Sequence, residues 1–92
     1  MAPTLPRLLL LNERDNVAVA IRALRSGDAV EVGGRRLAVA DDIPFGHKVA
    51  VAEIGSGEGV IKYGELIGRA TAPIEAGRHV HVHNVVSARL PG

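Results

Sequence analysis

Short aliphatic runs punctuated by glycine, rather than long amphipathic stretches, set the pattern of this chain. An aliphatic residue, two variable residues, Gly, two more variable residues and Val recur four times: Leu24 to Val30, Ile43 to Val49, Ile54 to Val60 and Ile74 to Val80. Each copy has the chemistry of a turn feeding a strand, because glycine accepts a positive φ and a β-branched residue then enters a sheet. The copies are unevenly spaced, which rules out a solenoid of fixed period. Ala29–Val32 and Arg35–Val39 flank Gly33-Gly34, a two-residue hairpin signal. Further strands are predicted at Leu8–Leu11, Lys48–Ala52, Val60–Lys62, Leu66–Ala70 and His79–Val85. One segment reads as helix: Asp15 or Asn16 as cap, Val17, Ile21 and Leu24 at helical spacing, Arg22 and Arg25 near the far end, and Gly27 as stop. The expectation is a mainly β chain of short bent hairpins with one short helix, forming a single domain over residues 1–92. Its core runs over about 8–86, and 87–92 form a flexible tail containing Pro91.

Composition sharpens this picture. The chain has 92 residues and is 47% hydrophobic but only 2% aromatic, so the core must be built from Val, Ile, Leu and Ala. Net charge is +1 and the basic residues are scattered without aromatic platforms, which argues against nucleic-acid binding. With no cysteine there is no disulfide framework, thiolate metal site or thiol nucleophile. The apolar run Leu8–Leu11 is too short to cross a bilayer or to serve as a signal core. A cytoplasmic location without membrane association is the expectation.

Three of the four histidines fall in His79-Val80-His81-Val82-His83-Asn84. In an extended strand, residues i, i+2 and i+4 share a side. Val80 and Val82 are therefore expected to face the core while His79, His81 and His83 face outward together. Imidazoles bind metals and switch protonation near neutral pH. The same row also suits solvated side chains on an outer face.

Four segments together carry a family resemblance: Arg14–Ala20 (RDNVAVA), Asp42–Ala50 (DIPFGHKVA), Val60–Gly68 (VIKYGELIG) and Gly77–Asn84 (GRHVHVHN). With these motifs the chain resembles the N-terminal domain of the altronate and galactarate dehydratases, of the SAF group. The resemblance implies a β-clip fold of pseudo-symmetric bent hairpins. It implies a part in dehydrating sugar acids, with Fe2+ or another divalent metal shared with a large catalytic subunit or domain. In a close branch, the sulfolactate sulfo-lyases, sulfite leaves instead of water and the small domain is a separate subunit. A chain of this length is then part of an active site, as a small subunit or a fragment, and is not expected to act alone. Homo-oligomerisation stays open, as does a non-catalytic module binding carbohydrate or protein.

Water elimination from a 2,3-dihydroxy acid needs a proton removed beside the carboxylate and help for the departing hydroxide. His81 and His83 are the expected metal ligands, with Asn84 as a hydrogen-bonding substrate contact. Three histidines on one straight strand do not converge easily on one ion, so at most two are expected as ligands. His47, in a Gly-His-Lys turn, is the candidate for proton transfer, or else a turn histidine bonding backbone. Lys62 suits a sugar-acid carboxylate and a catalytic role, or else an exposed ion pair with Glu65. Tyr63 reads as packing before chemistry. Asp15 and Asn16 read as a helix cap, and Asp41 and Asp42 as a turn before Pro44.

Overall fold

The computed structural model describes residues 7–87. The expected flexible tail lies almost wholly outside them; only Ser87 is described, and it ends a strand. Among the described residues, nine short strands form three antiparallel sheets. β1 (Leu8–Leu9), β2 (Val17–Ala20), β5 (Lys48–Ala50) and β8 (His79–Val80) make one, in the order β1-β2-β5-β8. The hairpin of β3 (Ala29–Val32) and β4 (Arg35–Ala38) makes the second. β6 (Gly59–Lys62), β7 (Glu65–Ala70) and β9 (Val85–Ser87) make the third.

The four glycine repeats are four equivalent corners. In each, a turn closes by the N–H of the residue after glycine donating back to a carbonyl: Asp28 to Arg25, His47 to Pro44, Glu58 to Gly55 and Arg78 to Glu75. Gly27, Gly46, Gly57 and Gly77 all have φ between +82° and +97°, the backbone that the third turn position requires. The leading aliphatic residues pair across the molecule, Leu24 with Ile43 and Ile54 with Ile74. The two halves are thus pseudo-symmetric, each built of two corners and one hairpin. Both hairpin tips have positive φ at both central residues, Gly33-Gly34 in one and Tyr63-Gly64 in the other, as tight primed turns require.

Each half has its own aliphatic core. One gathers Leu24, Val30, Leu37, Ile43 and Val49; the other gathers Ile54, Val60, Ala70, Ile74 and Val80. β2 and β5 lie between them, sending Ala18 and Val49 to the first core and Val17 and Ala50 to the second. Burying each such Val, Leu or Ile contributes about 1.5–3 kcal/mol. No aromatic takes part: Phe45 is 71% exposed and Tyr63 is 64% exposed, which corrects the packing role expected of Tyr63.

Two further expectations are corrected. No helix occurs among the described residues, and the segment read as one contains β2. Apolar on both faces, β2 has no alternation to betray a strand, and the spacing of Val17, Ile21 and Leu24 mimicked a helical stripe. Asp15 and Asn16 cap nothing; they reach across the chain to β6 and its turn. The strand predicted at His79–Val85 stops at Val80 and resumes at Val85, with a turn between. Val82 stands on that turn, 82% exposed, instead of facing the core.

Candidate functional site

Two corners deliver the site. The Gly46 corner carries His47 and Lys48 into β5, and the Gly77 corner carries Arg78 and His79 into β8, which pairs with β5. Val49 lies opposite His79, so His47 comes beside the His79 side chain. His47 Nδ1 and His79 Nε2 are 2.9 Å apart, a hydrogen bond in which one ring nitrogen donates and the other accepts. His81 stacks on His47 at 4.3 Å between ring centroids and on His79 at 5.5 Å.

Asn84 makes that convergence. Its side-chain oxygen accepts from the His81 N–H at 2.9 Å, and its amide donates to the His79 carbonyl at 2.9 Å. Its own N–H donates to the His81 carbonyl at 3.1 Å. The chain therefore curls after Val80 and folds His81 back over its neighbours. Asp41 fixes the other end: its carboxylate accepts from the His79 N–H at 2.9 Å and from Arg78 at 3.1 Å. Donation from the His79 amide, reinforced by Arg78, holds the Asp41 carboxyl below the usual 3.8 despite partial burial.

Electrostatics disfavour the charged form of two of the imidazoles, His79 and His81. Partial burial, and then the charges of His47, His83 and His81, hold His79 below the ordinary 6.5, with Asp41 opposing weakly. Burial followed by His47, Lys48 and His83 does the same to His81. Two protonated rings cannot share the His47–His79 contact, because both nitrogens would then present hydrogen. Lys48 is likewise lowered from 10.5, by burial first and by Lys62 second. Neither lysine forms an ion pair among the described residues.

His47, His79 and His81 each offer one ring nitrogen, all within 4.8 Å of one another, and together can hold a metal ion. Nitrogens bound to one ion at about 2.1 Å stand about 3.0–3.4 Å apart, so the spacing of the closest pair is near that of a bound ion, while the stacked rings must turn for their in-plane lone pairs to meet at it. A three-imidazole face leaves positions open to an outside ligand, as in catalytic rather than structural metal sites. Without an ion, the His47–His79 pair can pass a proton: with hydrogen on His47 Nδ1, its Nε2 carries a free lone pair, and with the other tautomer it carries hydrogen.

The structure thus brings His47 and His81 together with His79, the histidine that sequence favoured least. His83 is exposed, and its ring lies against that of His79, tilted at 5.3 Å. Lys62 lies at the end of β6 with its ammonium 5.9 Å over the Tyr63 ring. Both polar groups of the Asn84 side chain are engaged by backbone. Sequence reading passed over Lys48, although its place after His47 in the Gly-His-Lys turn was a usable signal. It also passed over Asp41 as the group that positions His79.

A family model described as the altronate/galactarate dehydratase SAF domain matches residues 6–88. The chain belongs to that family. Over 70 residues it is 49% identical to an altronate dehydratase of Escherichia coli (strain K12), covering 76% of this chain and 14% of that enzyme. Identity to an altronate dehydratase of Bacillus subtilis (strain 168) is 39% over 74 residues, 80% of this chain and 15% of that one. A (2R)-sulfolactate sulfo-lyase subunit alpha of Paracoccus pantotrophus is 48% identical over 54 residues, 59% of this chain and 81% of that subunit. This SAF domain spans about one-seventh of the length of the dehydratases it matches. Its three small sheets and four corners agree with the β-clip that the family implies. No helix among the described residues is long and apolar enough to cross a membrane.

Proposed function

We propose that this SAF domain is the small component, as a domain or a subunit, of a sugar-acid hydro-lyase, contributing a metal-binding imidazole face beside a pair of lysines to a site completed by a larger catalytic chain. The observation that carries the reading is the convergence of His47, His79 and His81 from two equivalent corners. Nitrogen donors without any thiolate suit Fe2+ among the divalent cations that could serve. Such a cation supplies Lewis-acid polarisation of the substrate's carboxylate and hydroxyl oxygens. The chain's own part is to hold and orient. Asp41 and Asn84 lock the backbone of His79 and His81, the depressed pKa values keep both rings as neutral donors near pH 7, and the two ammonium groups attract an anionic substrate.

A second reading, the small subunit of a sulfolactate-type lyase, is supported by the 48% identity to the Paracoccus subunit. Both readings use the same imidazole face and differ in the leaving group. One assay separates them: the domain with its large chain, or the full-length enzyme, is supplied with altronate, galactarate or sulfolactate. The expected result is 2-keto-3-deoxy acid from a sugar acid, formed only when the large chain is present. Sulfite from sulfolactate alone transfers the domain to the second reading. Association without either product rejects both.

A further inference from the structure

The two most exposed large hydrophobic side chains among the described residues stand beside the imidazole face. Val82 is 82% exposed and Phe45 is 71% exposed, and each lies within two residues of a converging histidine. The corners show that the fold does not ask for Phe45. The second position of the four equivalent turns holds Ser26, Phe45, Ser56 and Ala76, so closing the backbone there needs no bulk. Val82 takes the same second position in the turn from His81 to Asn84, which Asn84 closes with its own backbone and side chain. Held in water, a phenyl ring and a branched aliphatic side chain gain little from folding.

The turn of Phe45 ends on His47 and the turn of Val82 begins on His81. Because those two rings stack at 4.3 Å, the turns lie side by side and their apolar side chains border one imidazole face. From Val82 the apolar surface continues into an open cleft of about 390 Å³ walled by Ile67, Val85 and Val86, which reaches Lys48 and His81. Val86, on β9, is itself 49% exposed. Such residues scattered singly would need no explanation, but gathered around one polar centre they mark a protein contact. A sugar acid offers hydroxyls and carboxylates and has no use for this border. The length of the relatives names the occupant: the chain spans about one-seventh of the dehydratases it matches, and it matches 81% of a separate sulfo-lyase subunit. We infer that Phe45, Val82 and the cleft of Ile67, Val85 and Val86 form the docking surface for the larger catalytic chain of the same enzyme. That chain presents an apolar face with a pocket for the phenyl ring, and once seated it closes over the imidazoles and excludes water from them. The inference deepens the sugar-acid reading above and rests on it.

Phe45 is the one phenylalanine of the chain, so its oxidation reports on this surface alone. Hydroxyl-radical footprinting compares the chain by itself with the assembled enzyme, whether two-subunit complex or full-length protein. The docking surface predicts at least tenfold slower oxidation of Phe45 in the assembly. In the two-chain form, Phe45→Ser and Val82→Ser should each weaken association with the large chain at least tenfold by calorimetry. Both should keep the circular dichroism of wild type and the Co2+ absorption bands of the imidazoles. Leu9→Ser, on β1 at the far edge of the sheet from β8, should bind as wild type does. Unchanged Phe45 oxidation in an active assembly overturns the surface and spares the function, as do wild-type affinities in both variants or an equal loss in Leu9→Ser. Sedimentation that shows the chain pairing with a second copy of itself through Phe45 also overturns it. Protection of Phe45 and weakened association in an assembly that turns over neither a sugar acid nor sulfolactate uphold the surface and reject the lyase reading.

Discussion

Alanine at each of the four corner glycines gives a graded test of the fold that delivers the site. Gly27, Gly46 and Gly57 have open space where a Cβ would stand, so Gly→Ala there costs only the strained backbone, about 1–2 kcal/mol. Gly77 shares their φ but is buried against the chain, and its Cβ would collide with the Ala38 carbonyl and lie 3.4 Å from the Ala40 nitrogen. Relief of that collision must pull apart the bond from Ala40 N–H to the Gly77 carbonyl at 2.9 Å, and the one from Gly77 N–H to the Ala50 carbonyl at 2.8 Å. At about 1 kcal/mol each, these losses bring Gly77→Ala to about 3–4 kcal/mol, a large fraction of the about 5–15 kcal/mol typical of a folded domain. Urea unfolding followed by circular dichroism measures all four variants. Gly77→Ala within 0.5 kcal/mol of Gly46→Ala, as a rough margin of additivity, would refute the close approach. Neutral effects at Gly27 and Gly57 would refute the positive-φ corners.

Stability should fall as pH drops below about 6.5. Folding depresses the pKa of His79 and His81, so the unfolded chain binds more protons there and stability rises with pH; melts at pH 5, 6 and 7 check this, and His79→Asn should flatten the slope. Chelator should leave the melt of the isolated chain unchanged, because both cores are aliphatic and no metal nucleates them; a collapse on adding chelator contradicts this. Added Co2+ should raise the melting temperature of wild type and of His83→Ala but not of His47→Ala, His79→Ala or His81→Ala. Asp15→Ala removes the buried acceptor of two part-buried amide donors and should cost about 1–3 kcal/mol by chemical denaturation, with Asp15→Asn recovering part of it.

What could be read from sequence was whatever a local rule controls. The corners were legible because glycine adopts a positive φ at far less cost than other residues, and the Gly33-Gly34 hairpin for the same reason. β2 was not, because a strand buried between two cores loses the alternation that identifies strands. The break after Val80 depends on Asn84 reaching back to bond the His79 carbonyl and the His81 N–H, a contact that spacing does not reveal. That break decides the site. On a straight strand His79, His81 and His83 would form a row, whereas the curl joins two of them to His47 from a corner 32 residues away in sequence. The hydrogen bond from the Tyr63 N–H to Asp15, 48 residues apart, is of the same long-range kind and could not be separated from a helix cap without the fold.

The account turns on the claim that the three converging imidazoles, rather than the run of histidines as such, serve a sugar-acid lyase. The most direct measurement is keto-acid formation by the reconstituted or full-length enzyme carrying His47→Ala, His79→Ala, His81→Ala or His83→Ala in turn, with bound metal quantified in the same samples. The account predicts loss of at least tenfold in both turnover and metal content for the first three, and near wild-type values for His83→Ala. Wild-type turnover in the first three, or a loss confined to His83→Ala, would contradict it.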